Sequence, residues 1–294
     1  MKIKIVATTN VGKVRENNED AFIICPDLSH QEWKHDKTPS YIPLGDYGSL
    51  MVVADGMGGT NAGEVASMIA VKTVEEVFSQ ANIGDCISND NIDILLQKCV
   101  KEADEAINRR VWDDPATIGM GTTIVICWIL NEVAHIAWCG DSRCYIYNPQ
   151  TGLLALTKDH SYVQELVDKG EISVQEAFNH PDSNIITRGL GDVDSQSTPD
   201  ITSHPLKAND MLLLCSDGLS GYCTDTDIED VLRSNYRNIS ECNEQLLQLA
   251  LQAGGHDNIC LVLASLIDNS QEAPSDLSNH KKWKNGLKRL LNLC

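Results

Sequence analysis

The chain has 294 residues, with 42 aspartates and glutamates against 23 lysines and arginines and a formal charge of −19; that balance excludes a nucleic-acid binder working by phosphate neutralisation. The length suffices for one large domain or two small ones around a sizeable core, and no apolar run approaches the ~20 residues that a membrane-spanning helix needs. Eleven cysteines include no Cys-x-x-Cys pair, and Cys127, Cys139, Cys215 and Cys260 sit in apolar runs where a reduced thiol behaves as a small hydrophobe; with no signal peptide, a soluble cytoplasmic protein is expected.

In chain order, Ile3–Thr8, Ala21–Cys25 and Leu50–Ala54 read as strands bounded by turn formers. Polar Ser29–Gly48, between the second and the third, reads as an elongated surface loop. Two helices follow. Glu64–Phe78 repeats Val65, Ile69, Val74 and Val77, and Ile92–Arg110 repeats Leu95, Leu96, Cys99, Val100, Ala103 and Ile107. A dense β region comes next: Thr122–Leu130, Val133–Cys139, Cys144–Tyr147 and Leu153–Leu156, with Asn131-Glu132 and Pro149–Gly152 as tight connections. Ser161–Lys169 and Val174–Asn179 read as short helices. Thr226–Arg233 and Glu241–Gln252 read as longer ones, between the strands Met211–Cys215 and Ile259–Leu266. Strand blocks separated by helix pairs predict an α+β sandwich, two sheets faced by helices.

Residues 1–267 make up that domain. Polar residues 268–280 read as a linker, and 281–294 as a basic tail. Lys281, Lys282, Lys284, Lys288 and Arg289 carry five positive charges there with no acid among them, while Trp283, Leu287, Leu290 and Leu291 share one helical face. Such an end suits weak contact with a membrane surface, an acidic partner, or the acidic body itself.

Four acidic residues share one setting. Asp55 in Ala54-Asp55-Gly56-Met57-Gly58-Gly59, Asp141 in Gly140-Asp141-Ser142-Arg143, Asp217 in Ser216-Asp217-Gly218-Leu219 and Asp257 in His256-Asp257-Asn258 each lie at or near the end of an apolar run, beside or close to glycine. Strand ends hold side chains rigidly, and glycine lets backbone or ligand approach closely. If these carboxylates converge they repel one another unless a cation intervenes. Hard divalent ions such as Mg²⁺ or Mn²⁺ prefer oxygen ligands, so a two-metal hydrolase is expected. The turn Gly12 to Asp20 adds Arg15, whose planar fork matches phosphate oxygens, and the acceptors Glu19 and Asp20. Should it lie beside the aspartates, the site contains what phosphoester hydrolysis requires.

With these segments the chain closely resembles the metal-dependent type-2C (PPM) serine/threonine protein phosphatases in their bacterial form. Val11 to Asp20, Ala54 to Gly59, Met120 to Thr123, Gly140 to Arg143, Leu156 to Ser161, Ser216 to Leu219 and His256 to Ile259 occur in the family's order, and the resemblance runs from about Ile5 to Ile267. It implies a central β-sandwich of two antiparallel sheets flanked by helices on both faces. It also implies that Asp55 bridges two metals, that the Gly56 carbonyl binds the first, that Asp217 and Asp257 bind the second, and that Asp141, with Asp217, serves a weaker third. Arg15 matches the phosphate-binding arginine, and Glu19 and Asp20 match residues acting through metal-bound water. The implied reaction is attack of a metal-bridging water on phosphoserine or phosphothreonine, with Mn²⁺ or Mg²⁺ as cofactor and no covalent phosphoenzyme.

The resemblance further implies phosphoprotein partners, Ser/Thr kinases among the enzymes it opposes, no nucleic acid, and a monomer. One departure stands out. The animal enzymes carry a histidine where this chain has Met57, which cannot donate a proton, so the acid for the leaving oxygen has to come from elsewhere. The stretch His160–Gly191 resembles the family's flap; a solvated helical hairpin without a gating role is the other reading. His160 and His256 read as positioning residues. Two other functions stay open: a catalytically weak binding module that keeps the fold, which intact metal positions disfavour, and a hydrolase of small phosphoesters, which the lack of a Gly-x-x-x-x-Gly-Lys loop disfavours.

Overall fold

The computed structural model describes residues 1–34, 40–58, 62–87, 89–191 and 197–270. The chain opens with β1 (Lys2–Asn10), β2 (Asp20–Cys25), the short β3 (Ile42–Pro43) and β4 (Ser49–Met57), then the helices α1 (Gly63–Gln80) and α2 (Asn89–Asp113). Next come β5 (Gly121–Thr122), β6 (Ile124–Leu130), β7 (Val133–Cys139), β8 (Arg143–Asn148) and β9 (Gly152–Ala155), followed by α3 (Tyr162–Asp168) and α4 (Val174–Phe178). The described part closes with β10 (Asp200–Pro205), β11 (Met211–Cys215), α5 (Asp217–Ser220), α6 (Asp225–Asn235), α7 (Ile239–Gln252) and β12 (Ile259–Ile267).

Two antiparallel sheets result. One runs β3-β1-β12-β11-β8-β9 and the other β10-β7-β6-β4-β2, with β5 paired to the end of β4. Side-chain alternation explains why both sheets are covered on both faces. In β4, Met51 and Val53 point into the space between the sheets, while Leu50, Val52 and Ala54 pack beneath α1 and α2. In β12, Cys260, Val262, Ala264 and Leu266 face the other sheet, while Ile259, Leu261 and Leu263 pack against Leu246 and Ala250 of α7. Strands buried on both faces read as unbroken apolar runs, as these do. The order of layers is helix, sheet, sheet, helix, which is the architecture expected.

The differences from expectation are local. The strand expected over Thr122–Leu130 breaks at Thr123, whose hydroxyl accepts the Asp55 amide at 3.2 Å and meets Ser142 Oγ at 2.7 Å. Strand β10 has no counterpart in the sequence reading. It is a polar edge strand ending in Pro205 and paired only to β7, so it carries neither an apolar run nor clean alternation. Ser29–Gly48 is tied to the body wherever it is described: Lys34 bridges Ile24, β3 pairs with β1, and Trp33 and Tyr47 pack on the helical layer. Asn131 and Glu132 both take positive φ, as the tight turn joining β6 and β7 requires. The basic tail, most of the linker and Gly59 fall outside the described residues.

Candidate active site

Strand ends from both sheets meet at one end of the sandwich. Antiparallel pairing of β2 with β4 sets Asp20 opposite Asp55, so two carboxylates of one sheet lie side by side. In the other sheet β11 ends at Cys215 and turns through Ser216 into α5, whose first residue is Asp217. Strand β12 begins directly after Asp257 and Asn258, and Cys215 pairs with Leu261, so these groups emerge at the same end. Asp141 lies where the chain crosses from β7 in one sheet to β8 in the other. Gly140 makes that crossing with φ 115°, and a Cβ there would press into Thr123. Gly56 is fixed by crowding instead. A Cβ would run into the carbonyls of Gly63 and Glu19, and the Gly56 amide donates to the latter at 3.1 Å.

Main-chain and side-chain hydrogen bonds hold these groups in place. The Asp55 carbonyl accepts from Thr122 Oγ1 at 2.8 Å and from the Thr123 amide at 2.9 Å. Ser216 Oγ donates to Asp20 Oδ2 at 2.7 Å and accepts the Cys260 amide at 2.9 Å. Asn258, buried, ties the turn carrying Arg15 and Glu19 to the start of β12. Its amide group donates to the carbonyls of Val11 and Asn17 at 3.0 and 2.9 Å, and its Oδ1 accepts the Glu19 amide at 2.7 Å. None of these roles was drawn from the sequence, although Asn258 and Ser216 stand beside the singled-out aspartates.

The electrostatics follow from burial. Burial, and then the nearby Asp217 and Asp257, push Asp20 up to about 8 against the hydrogen bond from Ser216. Burial and Asp159 push Asp141 up to about 7. Asp55 and Asp217, partly open to the cleft, are raised well above the usual range, first by desolvation and then by neighbouring carboxylates: Asp20 and Asp141 act on Asp55, and Asp55 and Asp141 act on Asp217. A cluster whose members hold protons on one another is short of positive charge. Asp20 Oδ1 is buried without a hydrogen-bond partner among the described residues, leaving an oxygen free to face a ligand. All-oxygen donors of this kind fit hard divalent cations. Among the described residues no three Asp, Glu, His or Cys side chains form a closed cage, so an ion here needs backbone oxygen or water as well.

At the lip, Arg15 donates to Asp257 Oδ2 at 2.7 Å while its side chain stays 54% exposed. Glu19, raised by burial and by Glu64, lies against the first residue of α1, where a Cβ on Gly63 would meet its carboxylate. All eight singled-out positions, Arg15, Glu19, Asp20, Asp55, Gly56, Asp141, Asp217 and Asp257, thus stand at one end of the sandwich. Met57 closes β4 with its methyl end near Gly189. His160 is buried and stacked on Trp138 at 5.9 Å, and its Nδ1 accepts the Gly140 amide at 3.1 Å; it holds the crossing that carries Asp141. His256 is exposed beside Tyr222. Burial pushes the Cys215 thiol up to about 12 and raises Cys260 well above its ordinary value, as befits core thiols.

Comparison with known proteins agrees with this arrangement. The protein phosphatase 2C family profile matches residues 6–259. The serine/threonine phosphatase stp of Listeria welshimeri is 35% identical over 255 residues, covering 87% of this chain and 92% of that one. The serine/threonine protein phosphatase PstP of Mycobacterium tuberculosis is 32% identical over 266 residues, covering 90% of this chain and 45% of that one. Among solved structures, Stp1 of Staphylococcus aureus superposes with a TM-score of 0.76 at 32% identity, over 90% of this chain and 95% of that one. The catalytic domain of PstP in complex with two manganese ions gives 0.72 at 31%, over 91% and 99%.

Proposed function

The chain belongs to the protein phosphatase 2C family, and on that premise we infer that it is a metal-dependent phosphoprotein phosphatase, releasing phosphate from phosphoserine and phosphothreonine. The observation that carries this reading is the convergence of Asp20, Asp55, Asp141 and Asp217 from both sheets, with raised proton affinities and Arg15 at the rim. Bound divalent metal supplies the positive charge that lets these carboxylates ionise together and polarises both water and phosphate. Asp55, the Gly56 carbonyl, Asp217 and Asp257 would hold two ions, with Asp141 serving a weaker third. Manganese is the favoured metal, since the PstP catalytic domain has been solved with two manganese ions; magnesium is the alternative.

Arg15 is assigned the phosphate. One guanidinium nitrogen is engaged by Asp257, which sets the plane of the fork and leaves its remaining donors to the cleft. Glu19 and Asp20 orient water toward phosphorus. Water is the nucleophile: the hydroxyls of Ser216, Thr122 and Thr123 are tied to Asp20, the Asp55 carbonyl and Ser142, and the Cys215 thiol holds its proton. Met57 has no proton to give, so solvent in the cleft protonates the departing side-chain oxygen.

The substrates are phosphoproteins made by Ser/Thr kinases, and the working form is a monomer in the cytoplasm. Free thiols at all ten described cysteines suit a reducing compartment, and no described helix is long and apolar enough to cross a membrane. The deciding experiment is hydrolysis of a phosphothreonine peptide by the purified protein with and without Mn²⁺, beside Asp55→Asn and Asp217→Asn. Metal-dependent turnover abolished by both substitutions is expected. A wild type that is silent at every metal concentration overturns the reading and favours a binding module.

A further inference from the structure

A hollow of about 360 Å³ opens between the helices α3 and α4 on one side and α5 and the start of α6 on the other, with Asp141 and Asp217 at its inner end. Its outer wall is unusual. In α4, Val174, Ala177 and Phe178 recur at helical spacing on one face, yet the helix buries no residue, and Val174 is 74% exposed. A full capping box, Ser173 with Glu176, holds this short helix where core packing does not. Val163 and Val167 of α3 extend the apolar wall, and Tyr222 faces it from beyond α5.

The charges say what enters. Among the described residues Arg143 is the one basic side chain lining the hollow, and it donates to both oxygens of Asp159 at 2.8 and 2.7 Å, with Asp225 at 3.6 Å. Among the described residues no lining cation is left over for a phosphate, which belongs with Arg15. The remaining surplus is acidic, and an acidic group would be repelled.

We propose that this hollow is a specificity subsite that receives an aliphatic or aromatic side chain of the phosphoprotein, close in sequence to the phosphorylated serine or threonine. The inference rests on the phosphatase reading above. It commits to the substrate because the hollow is continuous with the carboxylate cluster. The volume admits a large side chain, and the apolar face of α4 buries none of its own residues and leaves Val174 in solvent.

The test compares phosphothreonine peptides carrying leucine, phenylalanine, alanine or aspartate at each flanking position with free phosphothreonine, which has no flanks. The wild type should prefer an apolar residue at one flanking position by about tenfold in kcat/KM over alanine, and reject aspartate there. Val174→Asp should erase that preference, and Val174→Lys should turn it toward aspartate, a gain that a misfolded variant cannot show. Equal loss across all peptides in both variants, or a wild type indifferent to flanking residues, overturns the subsite. So does a truncation after Ser270 that raises kcat/KM for apolar peptides, since it would assign the hollow to the chain's own Lys281 to Leu291 segment. Failure to release phosphate even from free phosphothreonine sinks the phosphatase reading, and this inference with it. Turnover without preference sinks this inference alone.

Discussion

Ser216 donates its hydroxyl hydrogen to Oδ2 of Asp20 at 2.7 Å, fastening a carboxylate of one sheet to a strand end of the other. Both groups are buried, and the other oxygen of the carboxylate, Oδ1, has no hydrogen-bond partner among the described residues. Ser216→Ala strips it and leaves the Cys260 amide unpaired as well. The expected cost is about 1–3 kcal/mol of stability, together with a higher Mn²⁺ concentration for half-maximal activity. Denaturant unfolding and a metal titration check the two effects; an unchanged metal requirement would make the bond purely structural.

Asn258 is the second fastening. Asn258→Asp keeps an acceptor for the Glu19 amide but loses the two donors to Val11 and Asn17, freeing the turn that carries Arg15. The expected result is a fall of about 10- to 100-fold in kcat/KM, with KM rising and weaker inhibition by inorganic phosphate. A loss confined to kcat, with phosphate affinity intact, would detach Asn258 from Arg15.

The raised carboxyls set the pH dependence of the metal-free protein. Asp20 at about 8 and Asp141 at about 7 stand above the value of about 3.9 for an unfolded aspartate. The folded state therefore holds extra protons between about pH 4 and pH 8, and stability falls as pH rises through that window. Groups shifted the other way act below it. Asp200, which Arg188 and His160 hold down against its burial, contributes stability that is lost only as pH drops beneath the usual carboxylate range. Thermal unfolding in chelator should show a declining Tm from pH 5 to pH 8, and Mn²⁺ should restore most at the alkaline end. A Tm that climbs steadily with pH in chelator contradicts the cluster.

Removing one carboxylate tests the same repulsion by mutation. Asp55→Asn takes away the charge nearest the centre without changing shape. In chelator the variant should be more stable than the wild type, by about 1–3 kcal/mol, and it should gain little from Mn²⁺. Calorimetry with and without metal reads both. A variant less stable than the wild type in chelator would assign Asp55 a structural bond instead.

How much of this was legible beforehand depended on burial. Val133–Cys139 and Met211–Cys215 stand as read, because strands covered on both faces are unbroken apolar runs. Strand β10 was missed because none of its residues is buried and its neighbours lie on one side only. Asp55, Asp141 and Asp217 were visible because each follows such a run beside glycine, and Asp257 because it stands just ahead of one. The fastenings were not, since Ser216 meets Asp20 across 196 residues and Asn258 meets Asn17 across 241. Local pattern carries no trace of a partner that distant. The sequence likewise shows α4 only as a short helix, and only the packing shows that its apolar face buries no residue and leaves Val174 in solvent.

Strand β12, the last described strand in chain order, lies between β1 and β11 and pairs with both, residue for residue along β1 from Lys2 to Asn10. During synthesis the opening strand must therefore wait, its hydrogen-bonding edge bare, until nearly all of the domain has left the ribosome. Asp257 arrives just ahead of that closing strand, so no shorter nascent chain has a complete carboxylate set. A chain ended before this point leaves the β1 edge bare and lacks Asp257, and so yields an unpaired, aggregation-prone fragment.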